Sequence, residues 1–475
     1  MAKKKIKKSK LEEKLSRKHE LVWDKLSEKE KKAAFKFSQD YMNFMGIAKT
    51  EREAVVEIIK FAEKNGFKSI EKVKGPKPGS RIYITNRNKN IALIILGSEP
   101  IDNGVKIIAS HIDAPRLDLK QNPLYEDDDT KLALFKTHYY GGIKKYQWVN
   151  QPLAVHGRVV KEDGSTVDII IGEDPKEPAF TITDLEPHLY HKTQAKRRLP
   201  EGIKGEELNV LVGSVPVKDK DAKSKIKLWV LDHLNKKYGI VEEDFTTAEL
   251  EIVPAGSPRD IGFDSSMVGA YGQDDRICAY TSMAAIAALK RPKKTAIALF
   301  FDKEEIGSEG NTGVKSRFLE NLIGELIELT TPDYRDSMLR RALSRSQALS
   351  SDVTGGVNPN YKDVHEIKNA PKVGYGLVIT KFTGAGGKYS SSDANAEYIG
   401  ELRRLFNKNK VPWQTGELGK VDEGGGGTIA KFLAEHNMEV VDCGPALLSL
   451  HAPFEVASKA DLYSTYLGYK VFYSA

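Results

Sequence analysis

The sequence predicts an α/β fold, a mixed-sheet α/β sandwich that carries an inserted, mainly β domain. Three observations support this prediction. Apolar segments of strand length alternate with amphipathic helical segments in the first and last parts of the chain. Between them, residues 118–262 are polar and irregular, with short strand-like stretches. A chain of 475 residues is also longer than a single hydrophobic core usually supports.

The first part of the chain combines a helix with several strands. EREAVVEIIKFAEKNGF (51–67) repeats apolar residues at spacings of three and four and stops at an Asn-Gly pair, which predicts an amphipathic helix with a glycine stop. RIYIT and IALIILG flank the polar turn 86–90, and VKIIASHID (105–113) follows as another apolar strand. These strands predict a β-meander that enters the main sheet.

The polar middle region is interpreted as an inserted domain. QPLAVHGRVV, VDIIIG and AELEIVPAG are predicted strands, separated by polar stretches such as GSTVD and GEDPKEP. The inserted domain would span residues 118–262. The other domain is then discontinuous and comprises residues 1–117 and 263–475.

After the insertion the α/β pattern resumes. Helices are predicted in DDRICAYTSMAAIAALK (274–290), SRFLENLIGELIELT and SDANAEYIGELRRLFNKN. Strands are predicted in KKTAIALFFD (293–302), YGLVITKF and MEVVDCG. Alternation of strands and helices after a β-rich opening is typical of an α/β sandwich with a mixed sheet.

Composition restricts the classes of function. The chain is 40% hydrophobic and 29% charged, as in ordinary globular proteins. No segment approaches the roughly 20 apolar residues of a membrane helix, and the N-terminus lacks the apolar core of a signal peptide. We therefore expect a cytoplasmic protein with no membrane partner.

The charge distribution does not favour a nucleic-acid partner. The first 32 residues contain 13 basic and 6 acidic residues, so they account for the whole net charge of +7. We interpret the extreme N-terminus as a solvated extension. The helical sequence that follows would pack on the body through Val22, Trp23 and Leu26.

Five segments that could end a strand carry side chains of the kind that bind metal ions. They are IIASHIDAP with His111 and Asp113, YGQDDRI with Asp274 and Asp275, ALFFDKEE with Glu304 and Glu305, SSDVTGG with Asp352, and LLSLHAP with His451. Strand ends of open α/β sheets face a crevice. Each segment alone has an ordinary structural explanation, such as a helix N-cap for Asp274. Together they would concentrate negative charge in a low-dielectric crevice unless a cation is bound there, and such ligands suit zinc, cobalt or manganese.

The same segments resemble those of a known family. SHIDAPRL, GQDDR, FDKEEIGS, SSDVTGGVNPNY and LLSLHAPFE resemble, in the same order, the five metal-site blocks of the aspartyl aminopeptidase and vacuolar aminopeptidase I family of co-catalytic zinc exopeptidases. The stretch YYGGIKKYQWVNQPLAVHGRVV (139–160) and the late segment VPWQTGE…GGGGTIA are also similar to that family. The resemblance therefore covers nearly the whole chain.

The resemblance implies a ligand set for two divalent ions, expected to be zinc, with cobalt or manganese as alternatives. His111 would bind one ion and His451 the other, Asp274 would bridge both, Glu305 would join one ion and Asp352 the other. It also implies that Glu304 is the general base and that Asp113 orients a ligand. Adjacent residues of an extended segment point in different directions, so one glutamate can bind metal while its neighbour faces the attacking water. Two divalent ions roughly 3.5 to 4 Å apart would activate that water and polarise the scissile carbonyl, and Glu304 would pass its proton to the leaving amine.

Departures from the family pattern concern substrate selection. The His-Ala that follows the aspartate in the family is missing from DVTGGVNPNY, the Tyr-Gly-Gly-Gly…Trp pattern reads YGGIKKYQW, and the Leu-Ala-Ile-His-Leu stretch occurs only as LEPHL. In the family, a histidine of the inserted domain reaches a neighbouring subunit's active site. LEPHL assigns that role to His188, with His191 as the alternative, and Lys381 in VITKF matches a lysine that would meet an acidic substrate group. An ordinary surface histidine and a solvated lysine are the competing interpretations, so a preference for acidic N-terminal residues stays open.

The predicted function is a metallo-aminopeptidase that acts on peptides. The resemblance further implies a homo-oligomer, expected to be a dodecamer built from dimers through the inserted domain. One alternative is a dinuclear-metal deacylase or carboxypeptidase on N-acyl amino acids, because the same metal pair serves both ends of a peptide. A non-catalytic binding or scaffold protein is a second alternative, against which the complete ligand set and Glu304 argue.

Overall fold

A computed structural model of the chain describes residues 9–475, so the lysine-rich start predicted to be a solvated extension lies largely outside the described residues. The strands are β1 Lys68–Ser69, β2 Arg81–Asn86, β3 Asn90–Ile95, β4 Lys106–His111, β5 Arg116–Glu126, β6 Ala133–Tyr140, β7 Leu153–Val160, β8 Thr166–Ile171, β9 Val210–Gly213, β10 Glu249–Pro254, β11 Arg259–Ile261, β12 Met267–Ala270, β13 Ala296–Phe301, β14 Gln347–Ser350, β15 Thr354–Gly355, β16 Leu377–Thr380, β17 Trp413–Thr415, β18 Glu439–Gly444, β19 Ala446–Leu448 and β20 Glu455–Ser458. The α-helices are α1 Lys10–Leu15, α2 Val22–Lys25, α3 Glu28–Met45, α4 Glu51–Lys64, α5 Lys225–Tyr238, α6 Gln273–Ala287, α7 Phe318–Thr330, α8 Asp336–Ser344, α9 Ala396–Lys408, α10 Ala430–Ala434 and α11 Lys459–Ser474.

The strands form three sheets. The nine-stranded main sheet has the order β1-β2-β3-β13-β4-β14-β18-β16-β17. Its central strands β13, β4, β14 and β18 run parallel, whereas β3 pairs antiparallel with β13 and β16 pairs antiparallel with β18. A six-stranded sheet has the order β8-β7-β10-β5-β6-β9, and a five-stranded sheet the order β11-β12-β20-β19-β15. The predicted α/β class with a mixed sheet is confirmed.

Each face of the main sheet is covered by its own set of helices. Along β13, Ala298 and Phe300 belong to the core formed with α3, α4, α6, α9 and α11. The intervening Leu299 and Phe301 belong to the core formed with α7, α8 and α10. A strand buried on both faces has no solvent-facing positions, which is why β13 reads as a continuous apolar run.

The predicted helix of the first part is confirmed as α4. Thr50 and Glu53 form a capping box at its N-terminus, and Asn65 caps its C-terminus. Gly66 then takes a φ of +81°, the left-handed conformation that glycine adopts without steric cost. The other predicted helices and strands correspond to α6, α7, α9, β2, β3, β4, β7, β8, β10, β13, β16 and β18.

The six-stranded sheet comprises β5 to β10 and lies in sequence between β4 and α6. It packs with α5 around a third core that includes Trp148 and Ile252. Because β5 follows β4 after a short connection, this sheet lies beside the carboxyl ends of the main-sheet strands. The proposed domain boundaries at residues 118 and 262 stay a prediction.

The helical N-terminal region packs on the body of the protein. Val22 is buried, and its backbone N–H donates to the carbonyl oxygen of Gly374 at 2.8 Å. The ring centroid of Trp23 lies 5.6 Å from that of Phe35 in α3. No helix within residues 9–475 is long and apolar enough to cross a membrane.

Candidate metal centre

The ends of three parallel strands bring predicted ligands together. His111 is the last residue of β4, the pair Glu304 and Glu305 follows β13, and Asp352 follows β14. These strands are neighbours with parallel pairing, so their carboxyl ends lie at one edge of the main sheet. The topology therefore places these four side chains around one crevice.

Asp274 and His451 reach the same crevice from outside the main sheet. Asp274 lies at the start of α6, and His451 lies in the loop between β19 and β20. One carboxylate oxygen of Asp274, Oδ1, is 3.2 Å from Nε2 of His111. The other, Oδ2, is 3.1 Å from Nε2 of His451. The carboxylate thus lies between the two imidazoles, as a bridging ligand would.

The two remaining predicted ligands, Glu305 and Asp352, lie close enough to these groups to share a metal ion with them. Oε2 of Glu305 is 3.5 Å from Nε2 of His451. Ligand atoms of His111, Asp274 and Glu305 lie within 4.8 Å of one another. The same holds for His111, Asp275 and Asp352, so the structure adds Asp275, which the sequence did not assign to the metal site.

The electrostatics of the crevice fit a bound cation. In the described part of the chain, Asp274 Oδ1, Glu305 Oε1 and both carboxylate oxygens of Asp275 are buried and accept no hydrogen bond. Buried polar atoms without a partner are rare in proteins because they lose their hydration. Burial also raises the pKa of Glu305 and of Asp352 well above the usual range. Divalent cations would satisfy these oxygens and offset their mutual repulsion.

The pKa values of the two histidines are also raised, by the negative charge of the crevice. Burial opposes protonation of His451, but the adjacent Asp274 carboxylate raises its pKa to about 11. Burial likewise opposes protonation of His111, and Asp113 and Asp274 raise its pKa well above the usual range. Both imidazoles therefore lie in a strongly negative environment, which attracts a proton or a metal ion.

Glu304 and the adjacent Glu305 have different surroundings. Its Oε2 lies 3.9 Å from Nε2 of His111, and it belongs to neither of the two ligand groups. Its side chain lines the cavity and keeps 17% of its surface exposed. Burial raises the pKa of Glu304 to about 7. The two glutamates therefore line one cavity but have different surroundings.

Asp113 lies behind the ligands and is fully buried. Its Oδ1 is 3.2 Å from Nδ1 of His111 and accepts the backbone N–H of Glu304 at 3.2 Å. Its Oδ2 accepts the backbone N–H of Glu305 at 3.2 Å and the hydroxyl of Tyr140 at 2.9 Å. One carboxylate thus holds a histidine and the turn that carries both glutamates.

Glu455 has a comparable position that the sequence interpretation did not identify. Its carboxylate accepts the backbone N–H of Asp274 at 3.1 Å and that of His451 at 2.9 Å. Burial, together with the negative charge of Asp274, raises its pKa to about 8. The signal in the sequence was its place at the end of LLSLHAPFE, four residues after His451.

The centre opens into a cavity of about 600 Å³. Its other walls come from two loops, 382–388 and 417–428, and from α10. Four lysines are among the lining residues: Lys315, Lys388, Lys420 and Lys431. The cavity therefore has an acidic end at the predicted ligands and basic groups elsewhere in its wall.

The two predicted substrate-binding residues lie away from this cavity in a single chain. His188 is exposed in a turn of the inserted region, and His191 is exposed close by, with its ring 4.3 Å from that of Tyr190. Lys381 lies just after β16, where its Nζ is 3.7 Å from Oδ1 of Asp393. Within the described residues, none of the three lines the cavity, although Thr380 and Phe382 do.

The fold and this cluster define a class, the metallopeptidases with a carboxylate and histidine centre at the edge of an α/β sheet. Within that class the chain belongs to the aminopeptidase I zinc metalloprotease family, M18, which matches residues 44–473. It is 52% identical to the probable M18 family aminopeptidase 1 of Clostridium acetobutylicum, over 96% of this chain and 98% of that one.

Solved structures agree with this assignment. The aminopeptidase of the M18 family from Thermotoga maritima matches with a TM-score of 0.92 and 46% identity, over 97% of this chain and 100% of that one. The mApe1 dodecamer of S. cerevisiae shares the fold, with a TM-score of 0.73 and 21% identity over 91% of this chain and 95% of that one. The chain is therefore a metallo-aminopeptidase of a zinc-dependent family, and the alternative of a deacylase or carboxypeptidase finds no support in these comparisons.

Proposed function

We propose that this aminopeptidase holds two divalent ions, with zinc as the expected metal, on the residues gathered at the edge of the main sheet. The observation that carries the proposal is the position of Asp274, whose two carboxylate oxygens face two different histidines. His451 and Glu305 would complete one ion site, and His111 and Asp352 the other. The buried carboxylate oxygens without hydrogen-bond partners support this assignment.

Each remaining side chain of the centre then has a separate task. When bound, such a metal pair polarises a scissile carbonyl and lowers the pKa of water. Glu304 accepts a proton at its partly exposed carboxylate and returns it to the leaving amine. Asp113 holds His111 and the backbone of Glu304 in fixed positions. Glu455 fixes the backbone of the two residues that approach from outside the main sheet.

The charge distribution of the cavity suits a peptide bound by its amino end. The free α-amino group of a peptide is cationic at neutral pH, or nearly so, and the carboxylate-rich end of the cavity attracts it. Lys315, Lys388 and Lys420 are exposed members of the lining and would face the distal part of the peptide, although Lys315 pairs with Glu309 and Lys388 with Asp393. This arrangement favours release of N-terminal residues over release of C-terminal ones.

Metal analysis combined with one substitution tests the two-ion assignment. Elemental analysis of the purified protein should give two divalent ions per subunit. Asp274→Ala should lose metal together with activity, whereas Asp264→Ala, an exposed aspartate outside the centre, should keep both. A fully metallated and active Asp274→Ala protein would rule out the bridging role. A preference for N-acylated amino acids over aminoacyl-nitroanilides would contradict the proposed substrate class.

We further propose a homo-oligomer, a dodecamer built from dimers, in which the inserted region contacts neighbouring subunits. The mApe1 dodecamer has the same fold. In this chain, Leu185, Leu189 and Leu199 are exposed in the segment that carries His188. Exposed apolar side chains of this kind are typical of surfaces that a partner covers.

The assembly is tested by light scattering at micromolar concentration, where a monomer would contradict it. His188 is tested separately. If its side chain reaches a neighbouring active site, His188→Ala lowers activity while the oligomer keeps its size. An unchanged rate in an intact oligomer would assign His188 to the surface instead.

A further inference from the structure

The end of strand β6 touches the metal centre at three successive residues. The hydroxyl of Tyr140 donates to Asp113 Oδ2 at 2.9 Å. A Cβ atom at Gly141 would lie 3.3 Å from the Cβ of Glu305, so this glycine permits close contact with a predicted ligand. The carbonyl oxygen of Gly142 is 2.9 Å from Nδ1 of His451. This stretch, the Tyr140–Gly142 segment, is the last residue of β6 in the six-stranded sheet together with the two glycines that follow it, and no part of it belongs to the main sheet.

The contact of Tyr140 acts on His111 through Asp113. Oδ2 of Asp113 has a hydroxyl donor in Tyr140 and a backbone donor in Glu305, while Oδ1 faces His111. Loss of the hydroxyl would remove one of the two donors to Oδ2, so the carboxylate could shift toward its remaining partners, the backbone N–H groups of Glu304 and Glu305. Because outer hydrogen-bond partners fix the orientation of ligating histidines, such a shift would disturb His111.

Tyr140 is itself held rigidly. Arg116 lies opposite it in the β5–β6 pairing, and the Arg116 guanidinium carbon is 3.8 Å from the centre of the Tyr140 ring. Arg116 is buried and pairs with Glu251 at 3.2 Å and with Glu51 at 3.5 Å. Glu51 begins helix α4 on the main sheet, so this ion network joins the two sheets behind the Tyr140 hydroxyl.

The contact of Gly142 acts on His451 directly. A carbonyl oxygen only accepts hydrogen bonds, so the proton of the neutral imidazole lies on Nδ1 and the lone pair lies on Nε2. Nε2 is the atom that faces Asp274 and Glu305. His451 lies in a loop with 34% of its side chain exposed, and Gly142 is an anchor for its ring.

We infer that the Tyr140–Gly142 segment positions the metal ligands of both ions, with Tyr140 acting on His111 through Asp113 and Gly142 acting on His451. The inserted sheet therefore sets the metal affinity of the main-sheet centre, in addition to any contact with other subunits. This inference rests on the proposed two-ion site.

Tyr140→Phe tests the first contact, and Tyr139→Phe is its matched control. Tyr139 precedes Tyr140, is half exposed, and contacts Lys145 and His138 but no residue of the centre. The readouts are the zinc dissociation constant, from competition with a chromogenic chelator, and the melting temperature of the metal-free protein. We expect Tyr140→Phe to raise the dissociation constant by about 10- to 100-fold, the range for outer hydrogen-bond partners of metal ligands. The zinc dissociation constant of Tyr139→Phe should stay within about twofold of that of the unchanged protein, since this substitution removes no hydrogen-bond partner of a metal ligand.

Excess zinc should then restore kcat of Tyr140→Phe with KM unchanged, because all five ligands are still present. A purely structural role would instead lower the melting temperature of the metal-free protein and leave the zinc dissociation constant unchanged. That second result would overturn the inference.

Gly142→Ala tests the second contact. The added Cβ would lie 3.3 Å from Nδ1 of His451 and would displace the ring, and Gly142 does not have the positive φ that would add backbone strain. Gly400→Ala, in helix α9, is the control, since its Cβ would meet only the end of the Arg404 side chain at 3.7 Å and its φ is also ordinary. Weaker zinc binding in Gly142→Ala alone supports the inference, and equal binding in both variants overturns it. If the unchanged protein binds no zinc, the two-ion proposal and this inference both fail, whereas tight binding by every variant removes the inference only.

Discussion

The sharpest prediction concerns Glu304→Gln, which removes a carboxylate and keeps the size of the side chain. The backbone N–H of Glu304 still donates to Asp113, so the turn after β13 keeps its anchor. The side chain is partly exposed and lies outside both ligand groups, so a neutral amide fits without loss of a ligand. The variant therefore separates proton transfer from metal binding.

The substitution has two expected effects, a lower rate of proton transfer and a weaker affinity for metal, and the size of each can be estimated. A positioned general base contributes about 10²- to 10⁴-fold to the rate, or roughly 3 to 5 kcal/mol of activation free energy. The lost charge lay 3.9 Å from the His111 ring. Two unit charges near 4 Å interact by about 4 kcal/mol in a partly buried site and by about 1 kcal/mol in water. Loss of the Glu304 charge can therefore lower the affinity of the centre for cations. The assay must be done at saturating zinc, so that a lower rate is not caused by lost metal.

The assay is the release of nitroaniline from an aminoacyl-nitroanilide, with elemental analysis of the same sample. We expect kcat to fall at least about 100-fold while the metal content at saturation stays that of the unchanged protein. Glu397→Gln, at an exposed position in α9, serves as the control and should keep full activity. A fully metallated Glu304→Gln protein with kcat within about tenfold of normal would refute the assignment of Glu304 as the base.

Two further predictions concern stability and the N-terminus. His156 is buried between Glu53 and Glu173, at 2.7 and 2.9 Å; burial opposes its protonation, but the two carboxylates raise its pKa. Protonated His156 therefore stabilises the folded state, and this stabilisation is complete at pH values below about 6.5, the usual histidine pKa. It is lost as the pH rises through the higher pKa that His156 has in the folded protein. In thermal unfolding, the stability deficit of His156→Gln should be largest near about pH 6 and shrink toward about pH 9, and a deficit that grows with pH would contradict this. Deletion of residues 1–10 should leave kcat/KM within about twofold, because chain termini usually tolerate truncation. A larger loss, or retention of only the full-length protein on a nucleic-acid column at near-physiological salt, would give the lysine-rich start a function of its own.

Much of the fold follows from local sequence patterns. The run AIALFF is apolar at every position because both faces of β13 are buried, and an apolar run of this length is recognisable as a central strand. Helix α4 carries its own start and stop signals. Strand β14 and the five-stranded sheet were not predicted, because elements of two to four residues contain too few positions for a periodic pattern.

The sequence by itself determined which residue types could bind metal, since His111, Asp274, Glu304, Glu305 and His451 are recognisable by chemistry and by their position beside apolar segments. Only the tertiary structure decided which atoms meet. Strand pairing brings segments together that lie hundreds of residues apart in the chain, as in the 2.9 Å contact between Gly142 and His451. The same holds for Glu455, whose carboxylate joins Asp274 to His451. Such contacts depend on sheet register and loop position, which are set by the packing of the whole chain. They therefore cannot be predicted from a local sequence pattern.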